Sequence, residues 1–377
     1  MINMSRTPTL PEFKILKLKR SPREQIVDYW REEISNGNLK PGVKLPSNQE
    51  LAARWETHPT TVQLAMEALV KEGLLVRMPR AGTFVREREK KLTCVGVYCT
   101  ANVKGSPYSH AVRETLSKEL HKAGIEMDLW MDPRPVEQYG EPWQPLVKAA
   151  EKRQFQAFIA TETGLPLLWW QQKLPVPTAF LGAPTSVPNN VDNDLEQFVE
   201  IGLKKLARQG CRSVGLIAPI LSAPDVCHPE GFQVVSFNML EHFTDVAGEL
   251  DLTVKNNWMR VSLHHAVGVR GQERFGYEQF LKLWSQPEKP EGLLVFSDVT
   301  ARGVLMAIQE KQVRVPGELK LALSKNETID LFCPIPVTFV VASERAMARA
   351  LIEQVHKQFR GESCERISLP FKIAAHP

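Results

Sequence analysis

Apolar residues recur at helical spacing in the stretch 41–85, near the start of the chain. They lie at i, i+3, i+4, i+7 and i+8, which predicts an amphipathic helix that begins near residue 59 and ends at Gly73. A shorter helix over 48–55 is predicted before it, because Ser47 and Glu50 have the spacing of a capping box. The apolar positions of the longer helix are Val62, Ala65, Met66, Leu69 and Val70.

Two further patterns complete this part of the chain. The apolar segments 74–76 and 83–85 flank a basic, glycine-containing stretch, 77–82, which predicts a β-hairpin. Upstream, a serine–proline pair predicts the start of a helix over 22–35. Together these elements predict a winged helix-turn-helix, a fold that places one helix in the major groove of DNA and the hairpin on the adjacent backbone or minor groove.

After residue 92 the pattern changes to short apolar runs, typical of buried strands, that alternate with amphipathic helices. Such alternation predicts α/β architecture, with parallel sheets covered by helices on both faces, and about 285 residues suffice for two lobes. The predicted strands are 93–98, 125–130, 155–160, 176–181, 213–217, 292–296, 319–323 and 337–341. The predicted helices are 107–124, 146–153, 197–209, 232–243, 276–284, 300–311 and 344–359.

Charge is distributed unevenly along the 377 residues. Residues 1–91 contain 17 Lys+Arg against 11 Asp+Glu, whereas the remaining residues contain 30 against 32. A basic head on a near-neutral body indicates a nucleic-acid-binding module joined to another domain. We therefore predict a flexible basic arm (1–20), a winged helix-turn-helix (21–87), a charged linker (88–92) and a two-lobed effector-binding and dimerisation domain (93–377).

Several classes of protein are disfavoured by what the sequence lacks. Its six cysteines have no CxxC or Cys/His ligand spacing and no secretory signal accompanies them, so we expect reduced thiols in a cytoplasmic protein. No apolar run approaches the ~18 residues of a membrane span. Nucleophile-elbow, zinc-protease and phosphate-loop motifs are missing, and the adjacent histidines 264 and 265 would face opposite ways on a strand. We expect no enzyme activity, no cofactor, no metal site and no membrane partner.

The first part of the chain resembles the gluconate-repressor (GntR) type of DNA-binding domain over about seventy residues. The matching motifs occur in the family's order. They are Gln25-Ile26, the run 35–42, Leu45-Pro46-Ser47, Glu50-Leu51-Ala52, Thr60-Thr61-Val62, Ala65, Leu69, Glu72-Gly73-Leu74 and Gly82-Thr83-Phe84-Val85.

The DNA-reading surface is expected at the exposed first turn of the second helix and at the wing. Thr60, Thr61 and Gln63 carry donors and acceptors suited to base edges or phosphates; for the threonines, capping the helix is the alternative. The resemblance implies a changed operator, because the family usually has Ser-Arg at positions 58 and 59 and commonly an arginine at position 49. The full set of DNA-contact candidates is Ser47, Gln49, His58, Thr60, Thr61, Gln63, Arg77, Arg80 and Gly82.

The rest of the chain resembles the effector domain of lactose- and galactose-type repressors. This likeness implies the fold of periplasmic sugar-binding proteins: two lobes, a cleft between them and a chain that crosses between the lobes three times. Head and body together are similar to the arabinose repressors of Gram-positive bacteria. The motifs lie at Gly182, 191–194, Gly210, 214–217, 231–232, 296–298, Ala301, Gly303, 315–316 and 336–338.

Five residues are candidates for contact with an effector. Asp298 follows a strand, where open parallel sheets bind ligands, and the resemblance implies that its carboxylate holds a sugar hydroxyl. Tyr108 and Ser109 open the first helix of the body at another cleft-lining position, and His228 replaces an arginine that these repressors usually keep. Lys325 replaces an acid at the cleft hinge, which favours an anionic sugar; the alternative is that it points to solvent or pairs with a glutamate.

These observations predict a sequence-specific DNA-binding transcription regulator, a homodimeric repressor whose partners are a double-stranded DNA operator, a second copy of the chain and a small sugar or sugar derivative. One alternative is a regulator of the same build whose body only dimerises and binds no ligand. A ligand-processing enzyme is a third reading, which no motif supports.

Overall fold

The computed structural model describes residues 13–16, 20–86, 91–100, 107–162, 165–183, 186–219, 238–261, 268–329 and 331–375. The chain forms two compact units, Met1–Lys91 and Leu92–Pro377. In the described residues, no helix is both long enough and apolar enough to cross a membrane.

The first unit is a helical bundle that ends in a hairpin. Two of its helices begin at serine caps as the sequence predicts: Glu50 N donates to Ser47 Oγ (3.3 Å), and Ser47 N donates to the Glu50 carboxylate (2.7 Å). Ser21 caps the first helix in the same way. The elements are α1 (Pro22–Ser35), α2 (Asn48–Arg54), α3 (Pro59–Lys71), β1 (Leu75–Met78) and β2 (Gly82–Val85).

The core of this unit is built by the predicted apolar stripes. The rings of Trp30 and Trp55 lie 5.6 Å apart, and both are buried. Every predicted apolar position of α3 is buried except Val70, which is partly exposed. Gly73, with φ +75°, ends α3 as predicted, because that left-handed conformation suits glycine.

The wing differs in detail from the sequence prediction. β1 and β2 pair antiparallel with Met78 opposite Gly82, so the strands extend into the stretch predicted as the hairpin tip and the turn is only 79–81. The extended segment before α2 pairs with β2: Leu45 N donates to Thr83 O (2.8 Å) and Val85 N donates to Val43 O (2.9 Å). Backbone hydrogen bonds of the wing are thereby satisfied on both sides of β2.

The second unit has two sheets, as the alternating pattern predicts, but each has six strands, so the twelve strands exceed the eight predicted. The strands are β3 (Cys94–Thr100), β4 (Glu126–Asp132), β5 (Ala157–Ala160), β6 (Thr178–Leu181), β7 (Asn190–Asn193), β8 (Val214–Ala218), β9 (Met259–Val261), β10 (Gly292–Val295), β11 (Lys320–Asn326), β12 (Thr338–Ala342), β13 (Ile367–Leu369) and β14 (Lys372–Ala375). The first lobe has the order β13-β7-β6-β5-β3-β4 and the second lobe has the order β14-β12-β11-β10-β8-β9.

Helices cover these sheets. They are α4 (Pro107–Lys122), α5 (Gln144–Glu151), α6 (Leu165–Gln171), α7 (Leu195–Arg208), α8 (Met239–Glu249), α9 (Gly268–Trp284), α10 (Asp298–Glu310) and α11 (Glu344–Phe359), with short 3-10 helices at Val136–Gln138 and Asn256–Trp258. Two predicted helices were misplaced. Residues 232–237 of the helix predicted over 232–243 lie outside the described residues, and α8, capped by Asn238, ends at Glu249, six residues beyond the predicted end. α9 begins eight residues before its predicted start.

The chain passes from one lobe to the other three times, as the resemblance implies. It crosses between β7 and α7, between β12 and α11, and between β13 and β14. All pairs within the sheets are parallel except β12 with β14. Carboxyl ends of the parallel strands therefore lie beside these crossings, where a ligand cleft belongs.

Candidate nucleic-acid interface and effector cleft

His58 shapes the start of α3. It is the N-cap residue, and its Nδ1 lies 2.7 Å from the Thr60 hydroxyl and 3.5 Å from the Thr60 backbone nitrogen. Pro59 occupies the first helical position, where its missing N–H is not needed. The structure thus gives His58 a capping contact that the sequence prediction of a DNA contact did not include.

Polar side chains follow one face of α3. Thr60, Gln63 and Glu67 are exposed at i, i+3 and i+7, so they share a face, whereas Thr61 is half-buried. Gln63 Nε2 donates to Glu67 Oε1 at 3.0 Å. Arg77 from β1 lies 3.9 Å from that same carboxylate oxygen. A row of polar groups therefore runs from the helix to the wing.

The wing exposes one arginine at its turn. Arg80 adopts φ +63° and is exposed. Gly82 adopts φ +119°, and a Cβ there would lie 3.0 Å from Cε of Lys44, so glycine at 82 lets the Lys44 side chain lie across the hairpin. Lys44 is an exposed cation that sequence reasoning missed, although its neighbours in the run 40–44 are rich in lysine, proline and glycine. Its contact with Gly82 depends on the folded wing.

Ser47 and Gln49 are both exposed at the start of α2. The Ser47 side chain is used for capping, while Gln49 extends from the first turn of the helix. With α3 and the wing, this turn supplies hydrogen-bonding groups and cations but few apolar side chains, a composition suited to phosphates and base edges.

Asp298 is the first residue of α10 and follows the carboxyl end of β10 by three residues in the second lobe. It is 4% exposed, and its Oδ2 has no hydrogen-bond partner among the described residues. Burial raises the pKa of Asp298, and the hydrogen bonds from the Val299 backbone and the Asn326 side chain oppose that rise. Asn326, which ends β11, is also buried. The pair lies at the sheet edge where ligands of such folds bind.

Tyr108, at the start of α4, contacts the apolar cores of both lobes. The Asn193 amide, at the end of β7 and beside the first crossing, donates to its hydroxyl at 3.0 Å. Burial raises the pKa of Tyr108 well above its ordinary value, so the phenol stays neutral. Ser109 is buried beside it. Sequence reasoning placed both residues at the cleft, but not the contact of Tyr108 with both lobes.

A cluster at the carboxyl end of β5 was not predicted. Arg113 of α4 and Glu162 form an ion pair of 3.2 Å, with side chains only 16% and 12% exposed. Glu162 also accepts from the Thr100 backbone (2.9 Å) and hydroxyl (2.5 Å), and Arg113 donates to the Thr161 hydroxyl (3.3 Å). The cluster places a largely buried carboxylate and guanidinium at the cleft edge of the first lobe. Its members are far apart in the sequence, so no local sequence motif predicts the cluster.

A second buried carboxylate, Glu344, follows the second crossing. It accepts from the Thr328 hydroxyl at 2.9 Å and lies close enough to Tyr108 to contribute to the raised pKa of that phenol. Lys325, in contrast, lies on the opposite face of β11 from Asn326. Its ammonium lies 5.1 Å from the centre of the Phe339 ring. His228 lies outside the described residues.

A cavity of 370 Å³ lies elsewhere in the first lobe, near the amino ends of its strands. Its polar groups bond mostly to the chain: Gln358 Oε1 accepts from Thr178 N, and Asn189 Nδ2 donates to Thr178 O. The cavity therefore offers a ligand few free polar groups.

Two family models match the chain. Residues 22–85 match that of bacterial regulatory proteins of the gntR family, and residues 203–370 match that of the periplasmic binding protein-like domain. Among curated proteins, the HTH-type transcriptional repressor YtrA of Bacillus subtilis is 32% identical over 108 residues, or 28% of this chain and 75% of that protein. The HTH-type transcriptional repressor NagR of the same organism is 37% identical over 73 residues, or 19% of this chain but 30% of that protein.

Solved structures match the second unit. A LacI family transcription regulator from Clostridium acetobutylicum superposes with a TM-score of 0.58 at 17% identity, covering 76% of this chain and all of that one. The lac repressor dimer bound to operator and the anti-inducer ONPF gives 0.59 at 17% identity, covering 76% and 93%. These likenesses show the fold.

A gntR-type head on a body of this fold defines a DNA-binding transcriptional regulator rather than an enzyme. The chain belongs to the gntR family of bacterial regulatory proteins. The predicted fold, family and regulatory class are thereby confirmed.

Proposed function

We propose that the chain is a homodimeric cytoplasmic repressor whose two heads bind a two-fold related operator, and whose cleft closes on a small polyhydroxylated effector. The observation that carries the effector is the Asp298 carboxylate, which is almost fully buried and has an oxygen without a described partner. A buried acceptor of this kind destabilises the fold unless a donor forms a hydrogen bond with it. A sugar hydroxyl supplies such a donor.

The cleft supports this choice of ligand in both lobes. Asp298 and Asn326 present acceptor and amide groups from the second lobe, and the Arg113–Glu162 pair presents charge from the first. A ligand that joins the two sets favours the closed arrangement, since its affinity for the closed state exceeds its affinity for the open state. The linker 88–92 would pass that change to the head.

Two copies are required because one winged head reads only a half-site. In the first lobe, the edge strand β4 exposes Leu129 (46%) and Met131 (53%), and an exposed apolar edge favours pairing with another chain. In the second lobe, Met306 on α10 is 62% exposed. The lac repressor, solved as a dimer bound to operator, has the same fold.

Thermal unfolding of the full chain with a panel of sugars and sugar acids tests the proposal. We expect one chemical class to raise the midpoint, and we expect Asp298→Ala to abolish that rise while leaving an operator-sized DNA complex intact. If no member of a broad panel shifts the midpoint and DNA binding is unaffected by any of them, the body only dimerises and the effector part of the proposal is wrong.

A further inference from the structure

The row Gln63–Glu67–Arg77 has a defined polarity. A glutamate carboxylate accepts hydrogen bonds, so the Gln63 carboxamide turns its NH2 group toward Glu67, and Gln63 Nε2 lies 3.0 Å from Glu67 Oε1. Gln63 Oε1 is consequently left as an acceptor on the exposed helix face. Glu67 Oε2 has no hydrogen-bond or ion-pair partner recorded among the described residues, since both contacts use Oε1.

The stability of the head does not explain this arrangement well. Glu67 and Arg77 are each 46% exposed, and exposed pairs at such separations stabilise a fold very little. Both Gln63 and Glu67 share the face of Thr60, which is the face that a groove-bound α3 turns toward DNA. An unneutralised carboxylate there would be repelled by phosphates. The Arg77 guanidinium offsets this repulsion from the side of the wing.

We infer that Gln63 and Glu67 form a reader of exocyclic amino groups in the major groove, with Glu67 accepting from N4 of a cytosine in each half-site. Only cytosine and adenine present a donor there, whereas guanine and thymine present acceptors that would face these oxygens. In adenine the donor stands beside the N7 acceptor, which disfavours a carboxylate but suits a glutamine. The inference rests on DNA reading by α3 and assigns its base preference.

Selection of binding sites from a random DNA library tests the inference with the full chain, Glu67→Gln and Gln63→Ala. The matched control is Glu72→Gln, which removes the same charge from the C-cap of α3, where Glu72 pairs with Arg31 of α1 at 3.0 Å. We expect cytosine at one fixed position of each wild-type half-site. In Glu67→Gln that preference should change to adenine or disappear, and in Glu72→Gln it should remain.

Titrations on the selected site then measure the effect. Replacing that C·G pair by T·A should weaken DNA binding by the wild type about tenfold, because thymine O4 is an acceptor and would face the Glu67 carboxylate. Binding by Glu67→Gln should weaken much less, because its carboxamide carries no charge. Identical selected sequences for wild type, Glu67→Gln and Gln63→Ala would overturn the inference. If the wild type enriches no sequence while still binding DNA, sequence-specific regulation itself fails, which is a separate result.

Discussion

The Asn193 amide lies 3.0 Å from the Tyr108 hydroxyl, and this hydrogen bond joins the first helix of the body to the strand that leads into the second lobe. The Tyr108 ring also packs against the cores of both lobes. The residue therefore belongs to the region in which closure of the lobes must take place, as well as to the candidate cleft.

We expect Tyr108→Phe to separate these two contributions. The substitution keeps the ring and removes one largely buried hydrogen bond, which should lower the free energy of unfolding of the body by about 1 kcal/mol. Tyr108→Ala also removes the packing and should cost about 3–5 kcal/mol. Urea titrations followed by tryptophan fluorescence measure both; equal losses would show that the hydroxyl, not the ring, dominates.

The Arg113–Glu162 ion pair should stabilise the folded chain although neither side chain is completely buried. Glu162→Gln leaves Arg113 without its charged partner in a site only 16% exposed, so we expect a loss of roughly 1–3 kcal/mol. The matched control is Glu114→Gln on α4, because Glu114 is 59% exposed and pairs only with His110 among the described contacts. That control should change the free energy of unfolding by less than about 0.5 kcal/mol. Equal effects of the two substitutions would contradict the assignment.

Local patterns predicted most helices and buried strands because their signals are contained in a few neighbouring residues. The last helix was predicted with its observed bounds, Glu344–Phe359, since Ser343 caps it and its apolar stripe is continuous. Four short strands were missed, β7, β9, β13 and β14. The last two form by pairing with β7 and β12, which lie earlier in the chain.

The same distinction holds for the candidate sites. The position of Asp298 at the ligand edge of a parallel sheet could be predicted because the residue closely follows a buried strand, and its contact with an effector stays a prediction. The contact of Arg113 with Glu162 spans 49 residues and forms only when α4 packs beside β5. The sequence indicates only part of the polar row on α3. Gln63 and Glu67 have helical spacing, whereas the contact of Arg77 with Glu67 requires the folded wing.

The Asp298 carboxyl predicts a pH dependence of stability. Burial raises its pKa in the folded chain, so between the ordinary value and the raised value the folded chain holds a proton that the unfolded chain has lost. The contribution of this residue to stability therefore falls as pH rises through that window. We expect Asp298→Asn to be at least as stable as the wild type at about pH 7.5, with the difference shrinking toward pH 4, near the ordinary pKa.

Thermal unfolding of both proteins across this range measures the difference, and the subtraction removes groups common to both. A variant that is less stable than the wild type at neutral pH but not at pH 4 would show that the ionised carboxylate is stabilised in the fold. In that case Asp298 would not be an unsatisfied acceptor available to a ligand.

Two substitutions in the head should weaken DNA binding in different ways. Arg80, exposed at the turn of the wing, is expected to contact phosphate, so Arg80→Ala should weaken binding to operator and random DNA alike and lower the salt slope by about one. Thr61→Ala should weaken specific binding several-fold more than random binding. Fluorescence anisotropy at two salt concentrations measures both. Equal losses for Thr61→Ala on both DNAs would make Thr61 a capping residue.

Lys325 provides the sharpest test of the effector's charge, because its geometry suits two roles. The ammonium lies 5.1 Å from the Phe339 ring centre, a cation–π contact that contributes about 0.5–1 kcal/mol at a partly exposed site. If Lys325 also binds an acidic sugar at the end of β11, Lys325→Met should weaken binding of that ligand roughly 10- to 150-fold, through loss of a charge-assisted hydrogen bond of about 1.5–3 kcal/mol. It should leave a neutral analogue unchanged, since methionine keeps the length of the stem. Calorimetric titration with a sugar acid and its neutral counterpart decides; unchanged affinity for both, together with a slightly lower unfolding midpoint, would assign Lys325 to the packing of Phe339 alone.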